Sequence, residues 1–87
     1  MLGEGLPGGF RLVVAPAVGK LRLLPPLRFE RGVEVVEAGQ PLARVELPGS
    51  DVIVRAPVAG RVSAVIGLEG QPVIRGTVVM SIDPDDG

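Results

Sequence analysis

The chain has no cysteine, histidine, tryptophan or tyrosine, and its two aromatic residues are Phe10 and Phe29. Each absence removes a class of function. Without His and Cys there can be no zinc or haem site built from them, and no Ser-His or Cys-His nucleophile pair. A disulfide framework is excluded as well, so the core must hold itself together. Nine basic and ten acidic residues give a net charge of −1. That leaves no electrostatic footprint for nucleic acid, and two phenylalanines are no platform for stacked bases. Long hydrophobic runs are missing too. The most apolar stretch, residues 12–18, contains Pro16 and is far too short to cross a bilayer. The opening Met1-Leu2-Gly3-Glu4-Gly5 has no basic segment and no apolar segment of the kind that directs secretion. The expectation is a soluble cytoplasmic protein. At 87 residues and 9.0 kDa it is one small domain, near the lower limit at which a core folds unaided.

Glycine and proline, by contrast, are plentiful: 13 and 9 residues, placed so that no stretch of ten keeps apolar residues at helical spacing. What lies between them is a series of short runs rich in Val, Ile and Leu. Arg61-Val62-Ser63-Ala64-Val65-Ile66 alternates, with Val62, Ala64 and Ile66 predicted on one face. Ala43-Arg44-Val45-Glu46-Leu47 alternates likewise and puts Arg44 and Glu46 outward. In the last run, Val78, Met80 and Ile82 are expected to share a side. Short strands at regular spacing separated by turns predict an all-β fold, a small sandwich or barrel.

An internal repeat refines this. Ala15-Pro16-Ala17-Val18-Gly19 recurs as Ala56-Pro57-Val58-Ala59-Gly60, 41 positions on. Residues 33–46 match residues 70–83 loosely, 37 positions on. A further pair of words, Gly39-Gln40-Pro41-Leu42 and Gly70-Gln71-Pro72-Val73, sits out of register with that match. The first half therefore carries about four extra residues, expected around Leu23-Leu24-Pro25-Pro26, where two prolines forbid a central strand. Repeat architectures of the solenoid type need at least three copies. Two copies in one small domain predict similar halves related by a pseudo-two-fold axis.

These words, in this order, resemble the biotinyl/lipoyl carrier domains, of the biotin carboxyl carrier kind. The Pro-x-x-Gly opening is Ala15-Pro16-Ala17-Val18-Gly19, followed by Gly39-Gln40-Pro41-Leu42 before a strand. Residues 42–46 match the strand into the central hairpin and 52–56 the strand out. Ala56-Pro57-Val58-Ala59-Gly60, the segment from Gly70 through Gly76 to Val79, and the closing Met80-Ser81-Ile82-Asp83 complete the pattern. The likeness covers roughly residues 13–83. It implies a flattened β-barrel, or barrel-sandwich hybrid, of two antiparallel sheets whose halves exchange about a pseudo-dyad. The expected layout is an N-terminal extension over residues 1–10, the domain over 11–83, and a tail over 84–87.

The departure from the family is at the hairpin tip. There the resemblance implies a modified lysine, commonly flanked by methionines, and this sequence has Gly49 within Glu46-Leu47-Pro48-Gly49-Ser50-Asp51. Biotin or lipoate is attached through an amide to an amine, and glycine has no side chain. Read from the residues alone, the segment is a turn: Pro48 fixes φ at the first central position and Gly49 supplies the positive φ of a type II turn. Other residues offer no replacement. Lys20, the single lysine, falls at an ordinary strand start just after Gly19 and reads as a solvated side chain. Ser50 is followed by Asp51 in a hairpin, unlike a phosphopantetheine serine, which follows an Asp and opens a helix. Ser63, Thr77 and Ser81 have no histidine to serve as base. Asp83, Asp85 and Asp86 lack the spacing of a calcium loop and read as a solvated terminus. The expectation is therefore no catalytic residue, no bound cofactor and no metal.

Arg22, Arg28 and Arg31 cluster in the extra segment beside Leu23, Leu24, Leu27 and Phe29. One reading is a surface loop whose arginine stems cover apolar area. The other is a docking loop, since apolar anchors with interspersed arginine are enriched at interface cores; carboxylase-type members of the family carry a comparable protrusion here. Leu24, Leu27, Arg28, Phe29 and Arg31 are its candidate contacts. Two functions follow from the resemblance. The first is a non-catalytic module without the modifiable lysine, serving as a binding or scaffolding subunit of a multi-subunit acyl-group enzyme such as a biotin-dependent carboxylase or a dehydrogenase. The second is a structural barrel like those of membrane-fusion adaptors and electron-transport subunits. Adaptors place a long helical hairpin between the halves, for which residues 46–52 leave no room.

Overall fold

The computed structural model describes residues 9–85. Within them lie nine strands: β1 (Arg11–Val14), β2 (Gly19–Leu23), β3 (Phe29–Glu30), β4 (Val33–Val36), β5 (Pro41–Leu47), β6 (Ser50–Arg55), β7 (Gly60–Val65), β8 (Pro72–Val73) and β9 (Val78–Pro84). They form two antiparallel sheets, one in the order β1-β9-β7-β4-β3 and the other β6-β5-β2-β8. The sheets face each other without closing into a continuous barrel, so the all-β sandwich expected from the punctuation is what forms. Most of the expected extension over 1–10, the opening Met1 to Gly5 and Asp86 lie outside the described residues.

The two sheets are copies of one another. Shifting β1 and β2 by 41 positions gives β6 and β7, and shifting β4 and β5 by 37 gives β8 and β9. The exchange turns β1-β9-β7-β4 into β6-β5-β2-β8 and leaves β3 over. The core obeys the same rule: Val13 and Val54, Ala15 and Ala56, Val36 and Val73, Leu42 and Val79, Ala43 and Met80, and Val45 and Ile82 are equivalent buried pairs. Leu21 has its counterpart in the partly buried Val62. Even the turn bonds repeat. Gln40 N–H donates to Glu37 O and Thr77 N–H to Ile74 O, both at 3.0 Å. Gly19 and Gly60 are equivalent close approaches, since a Cβ on either would collide with a backbone oxygen, Glu46 O or Asp83 O. The out-of-register words at Gly39 and Gly70 are not equivalent positions. Gly39 N–H donates to Ala56 O, whereas the residue playing that part in the other half is Gly76, whose N–H donates to Ala15 O.

The alternation readings need correction where the strands bulge. Between Pro41 and Ala43, β5 carries an extra residue, Leu42; the equivalent residue in β9 is Val79, between the partners of Val13 and Val14. A bulge lets two successive side chains reach one side, so Leu42-Ala43 and Val79-Met80 are all buried. Met80 and Ile82 are buried as expected, but Val79 joins them. In β7 the bulge falls between Val62 and Ala64. Val62 packs on the core, while Ala64 and Ile66 are exposed rather than sharing its face. Arg44 and Glu46 do point outward, flanking the buried Val45.

The extra residues of the first half are residues 24–32, nine where the second half has five, 65–69. Pro25 and Pro26 keep the start of this insert irregular. Its end is a hairpin, β3 and β4, with Glu30 opposite Val33. Arg31 and Gly32 occupy the two turn positions with φ of 52° and 81°. Positive φ at both is the type I′ pattern, and an arginine there is uncommon.

Candidate functional site

The candidate site is the tip of the β5–β6 hairpin. Its stem pairs Val45 with Val52, Glu46 with Asp51 and Leu47 with Ser50, leaving Pro48 and Gly49 as a two-residue turn. Gly49 has φ of 80°, the value a type II turn needs at its second central residue, while Pro48 excludes the primed turns that need positive φ at the first. A Cβ placed on Gly49 meets nothing within 4 Å. The position therefore projects into open solvent from a braced stem.

An ion-pair ladder braces that stem on the outer face of the four-stranded sheet. Two of the direct cross-strand pairs there carry like charges, Arg22 opposite Arg44 and Glu46 opposite Asp51, while Lys20 stands opposite Glu46. The attractive contacts run along diagonals and along one strand, still within reach of long side chains. Arg22 Nε lies 3.1 Å from Glu46 Oε1 and its Nη1 3.0 Å from Glu69 Oε2. Arg44 Nη1 lies 3.0 Å from Glu46 Oε2 and 2.8 Å from Asp51 Oδ2. Glu69 Oε1 also accepts the Leu23 backbone N–H at 2.8 Å. The hydrogen bond from Arg22 holds the Glu46 carboxyl below the usual carboxylate range, with Arg44 adding to it. The Leu23 N–H, then Arg22, does the same for Glu69. Arg22, grouped in the sequence with the insert, thus belongs to the stem, and Leu23 packs against the core.

A family described as Biotin-requiring enzyme matches residues 12–82 of the chain. That span is most of the sequence and contains both sheets but for the first residue of β1 and the last two of β9. The chain belongs to the biotin/lipoyl domain family. Comparison with curated proteins gives no significant match. Membership implies a carrier-type module with biotin or lipoate bound covalently at a hairpin tip, and here the tip residues do not fit that group. Leu47, Pro48, Gly49 and Ser50 offer no amine. Lys20 sits in β2 opposite Glu46 and not in the turn. Three hydroxyls lie away from the tip and are occupied with structure: Thr77 Oγ1 accepts the Ile74 N–H at 3.0 Å, and Ser63 Oγ donates to Ser81 O at 3.1 Å while lying against Ser81 Oγ. Ser50, in the stem beside the turn, is exposed. Among the described residues there is no group of three or more His, Cys, Asp or Glu side chains able to hold a metal ion.

The docking candidates fall together on the insert. Leu27 is 75% and Phe29 58% exposed, Arg28 and Arg31 are exposed, and Leu24 is half-buried. Arg28 bonds Glu30 at 3.3 Å and Glu37 at 3.4 Å. The sequence reading missed two features here. One is β3 itself, whose signal was an X-Gly turn, Arg31-Gly32, between Phe29-Glu30 and Val33-Glu34. The other is Glu34, opposite Phe29, whose carboxyl is pushed up by desolvation.

Proposed function

We propose that this chain is a non-catalytic biotin/lipoyl-type module that carries no group of its own and serves as a binding or scaffolding subunit of a multi-subunit acyl-group enzyme. The observation that carries this reading is Gly49: the tip retains the carrier hairpin, projects into open space and ends in a residue with no side chain. A fold kept intact around a tip without attachment chemistry is of use through its surface. Leu24, Leu27, Arg28, Phe29 and Arg31 form the docking surface in this reading, because aromatic residues and arginine are enriched at interfaces. A cytoplasmic biotin-dependent carboxylase or a dehydrogenase complex is the assembly the family favours.

The test is capture of the tagged chain from its native cell, beside a variant with Leu24→Ser, Leu27→Ser and Phe29→Ser. A carboxylase or dehydrogenase subunit retained by the native chain and lost from the folded variant supports the proposal. Equal retention by both counts against the insert. Recovery of membrane components in place of an enzyme subunit favours a purely structural barrel. No helix of the described residues is long and apolar enough to cross a membrane.

A further inference from the structure

Among the described residues, β3, the fifth strand of the larger sheet, has no counterpart in the smaller one and no strand on its outer edge. In the β3–β4 hairpin, Glu30 pairs with Val33 beside the turn, and Arg28 O accepts the Val35 N–H at 3.1 Å. Backbone groups alternate in direction along an antiparallel strand. The N–H and C=O of Phe29 therefore face away from β4, at the free edge. The Phe29 side chain lies on the same face as Glu34 and Val36, the face that is core farther in, yet it is largely exposed because no strand of the other sheet matches β3.

The charges on this edge are self-complementary. Arg28 and Glu30 flank Phe29 at equal distances in sequence and share the opposite face. In an antiparallel pairing of two copies about Phe29, each Arg28 stands directly across from the other copy's Glu30. The two Phe29 residues exchange both backbone hydrogen bonds and form an aromatic cross-strand pair. Parallel pairing would instead set Arg28 against Arg28, and like charges directly opposite are destabilising. Open edges are commonly blunted by charges of one sign or by proline. Here the signs are mixed and symmetric, and Pro25 and Pro26 stop the pairing from spreading along the chain. The arrangement is closed and isologous, which yields a dimer and not a fibre.

We propose that β3 pairs antiparallel with β3 of a second copy of this chain, joining the two five-stranded sheets across a two-fold axis at Phe29. This rests on the reading of residues 24–32 as a docking surface and divides it: the second copy takes the β3 edge at Arg28 and Phe29, which leaves Leu24, Leu27 and Arg31 to an enzyme subunit that meets the dimer. The contact is short and its association is accordingly dependent on concentration.

Sedimentation equilibrium on the full chain tests it. The mass should rise from the 9.0 kDa of one chain toward twice that value with increasing concentration. Arg28→Glu alone and Glu30→Arg alone should each weaken the dimer tenfold or more, because like charges then face each other. The double variant Arg28→Glu, Glu30→Arg should return to within a few-fold of the native dissociation constant. Both side chains are more than half exposed, so the variants keep the fold, which an amide fingerprint spectrum verifies. A native chain that stays monomeric up to millimolar concentration overturns the proposal. So does a dimer indifferent to either single change, or a double variant that fails to recover. None of these results bears on whether the tip carries a group, which the mass of the chain decides separately.

Discussion

The two halves of this sandwich agree over most of the core and differ most in one surface insert. Six buried pairs, the bulges at Leu42 and Val79 and the close approaches at Gly19 and Gly60 repeat from one half to the other. The insert at residues 24–32 does not. The halves thus bear separate burdens. The repeated buried positions satisfy packing, which tolerates little change, while the insert exposes Leu27 and Phe29.

The most demanding test of the equivalence is at the two glycines. Gly19→Ala and Gly60→Ala should each destabilise the protein by about 3 kcal/mol, because the new methyl group meets backbone that has no room to give. Chemical denaturation measures both. A cost several times larger on one side than on the other would break the pseudo-dyad.

The insert should behave in the opposite way. Leu24→Ser, Leu27→Ser and Phe29→Ser together should weaken partner binding by about 2 kcal/mol or more. The folding midpoint should fall only modestly, with Leu24 responsible for most of the loss as the one half-buried member. Unfolding of that variant would return these residues to the core and remove the contrast.

The repeated architecture was legible in the sequence because two words recur at two spacings, and a pair of spacings 4 positions apart already locates the insert between them. The turn at Pro48-Gly49 was legible for the same kind of reason, since each residue allows a narrow range of φ. The bulges were not legible. A bulge at Leu42 or Ser63 leaves no mark in composition, so a period of two was carried through residues 61–66 where the strand had already shifted face. The two-residue strand β3 was too short to show alternation. The ladder Glu69–Arg22–Glu46–Arg44–Asp51 is assembled from three strands and a loop, and nothing local in the chain announces it.

Smaller effects sharpen the picture at the tip. Pro48→Met, Gly49→Lys and Ser50→Met restore the family's acceptor pattern and leave Leu47, which packs on the core. A lysine must then take φ of 80°, at a cost of about 1 kcal/mol. The stem should hold the turn, and incubation with a biotin ligase and ATP should add biotin to the new lysine. A folded variant that stays unmodified would separate the shape of the hairpin from recognition by the ligase.

The weakest effect is that of pH. Glu46 and Glu69 have carboxyls lowered in the folded state, so their contribution is present above the ordinary carboxylate value of 4.5 and is lost as pH falls through the depressed folded values. Glu34 has the reverse sign. Its folded carboxyl is raised, so it favours the native state below 4.5 and that advantage disappears as pH rises through the folded value. Glu34→Gln should therefore stabilise the protein slightly at pH 7 and not at pH 3. Arg22→Gln should flatten the acid limb of the stability profile.

The central claim is that a carrier fold here ends in a tip with no attachment chemistry, and intact-mass spectrometry tests it most directly. The native chain, coexpressed with biotin and lipoate ligases and their cofactors, should emerge at the mass of the unmodified polypeptide. An added biotinyl or lipoyl mass, mapped by peptide fragmentation to Lys20, would contradict it.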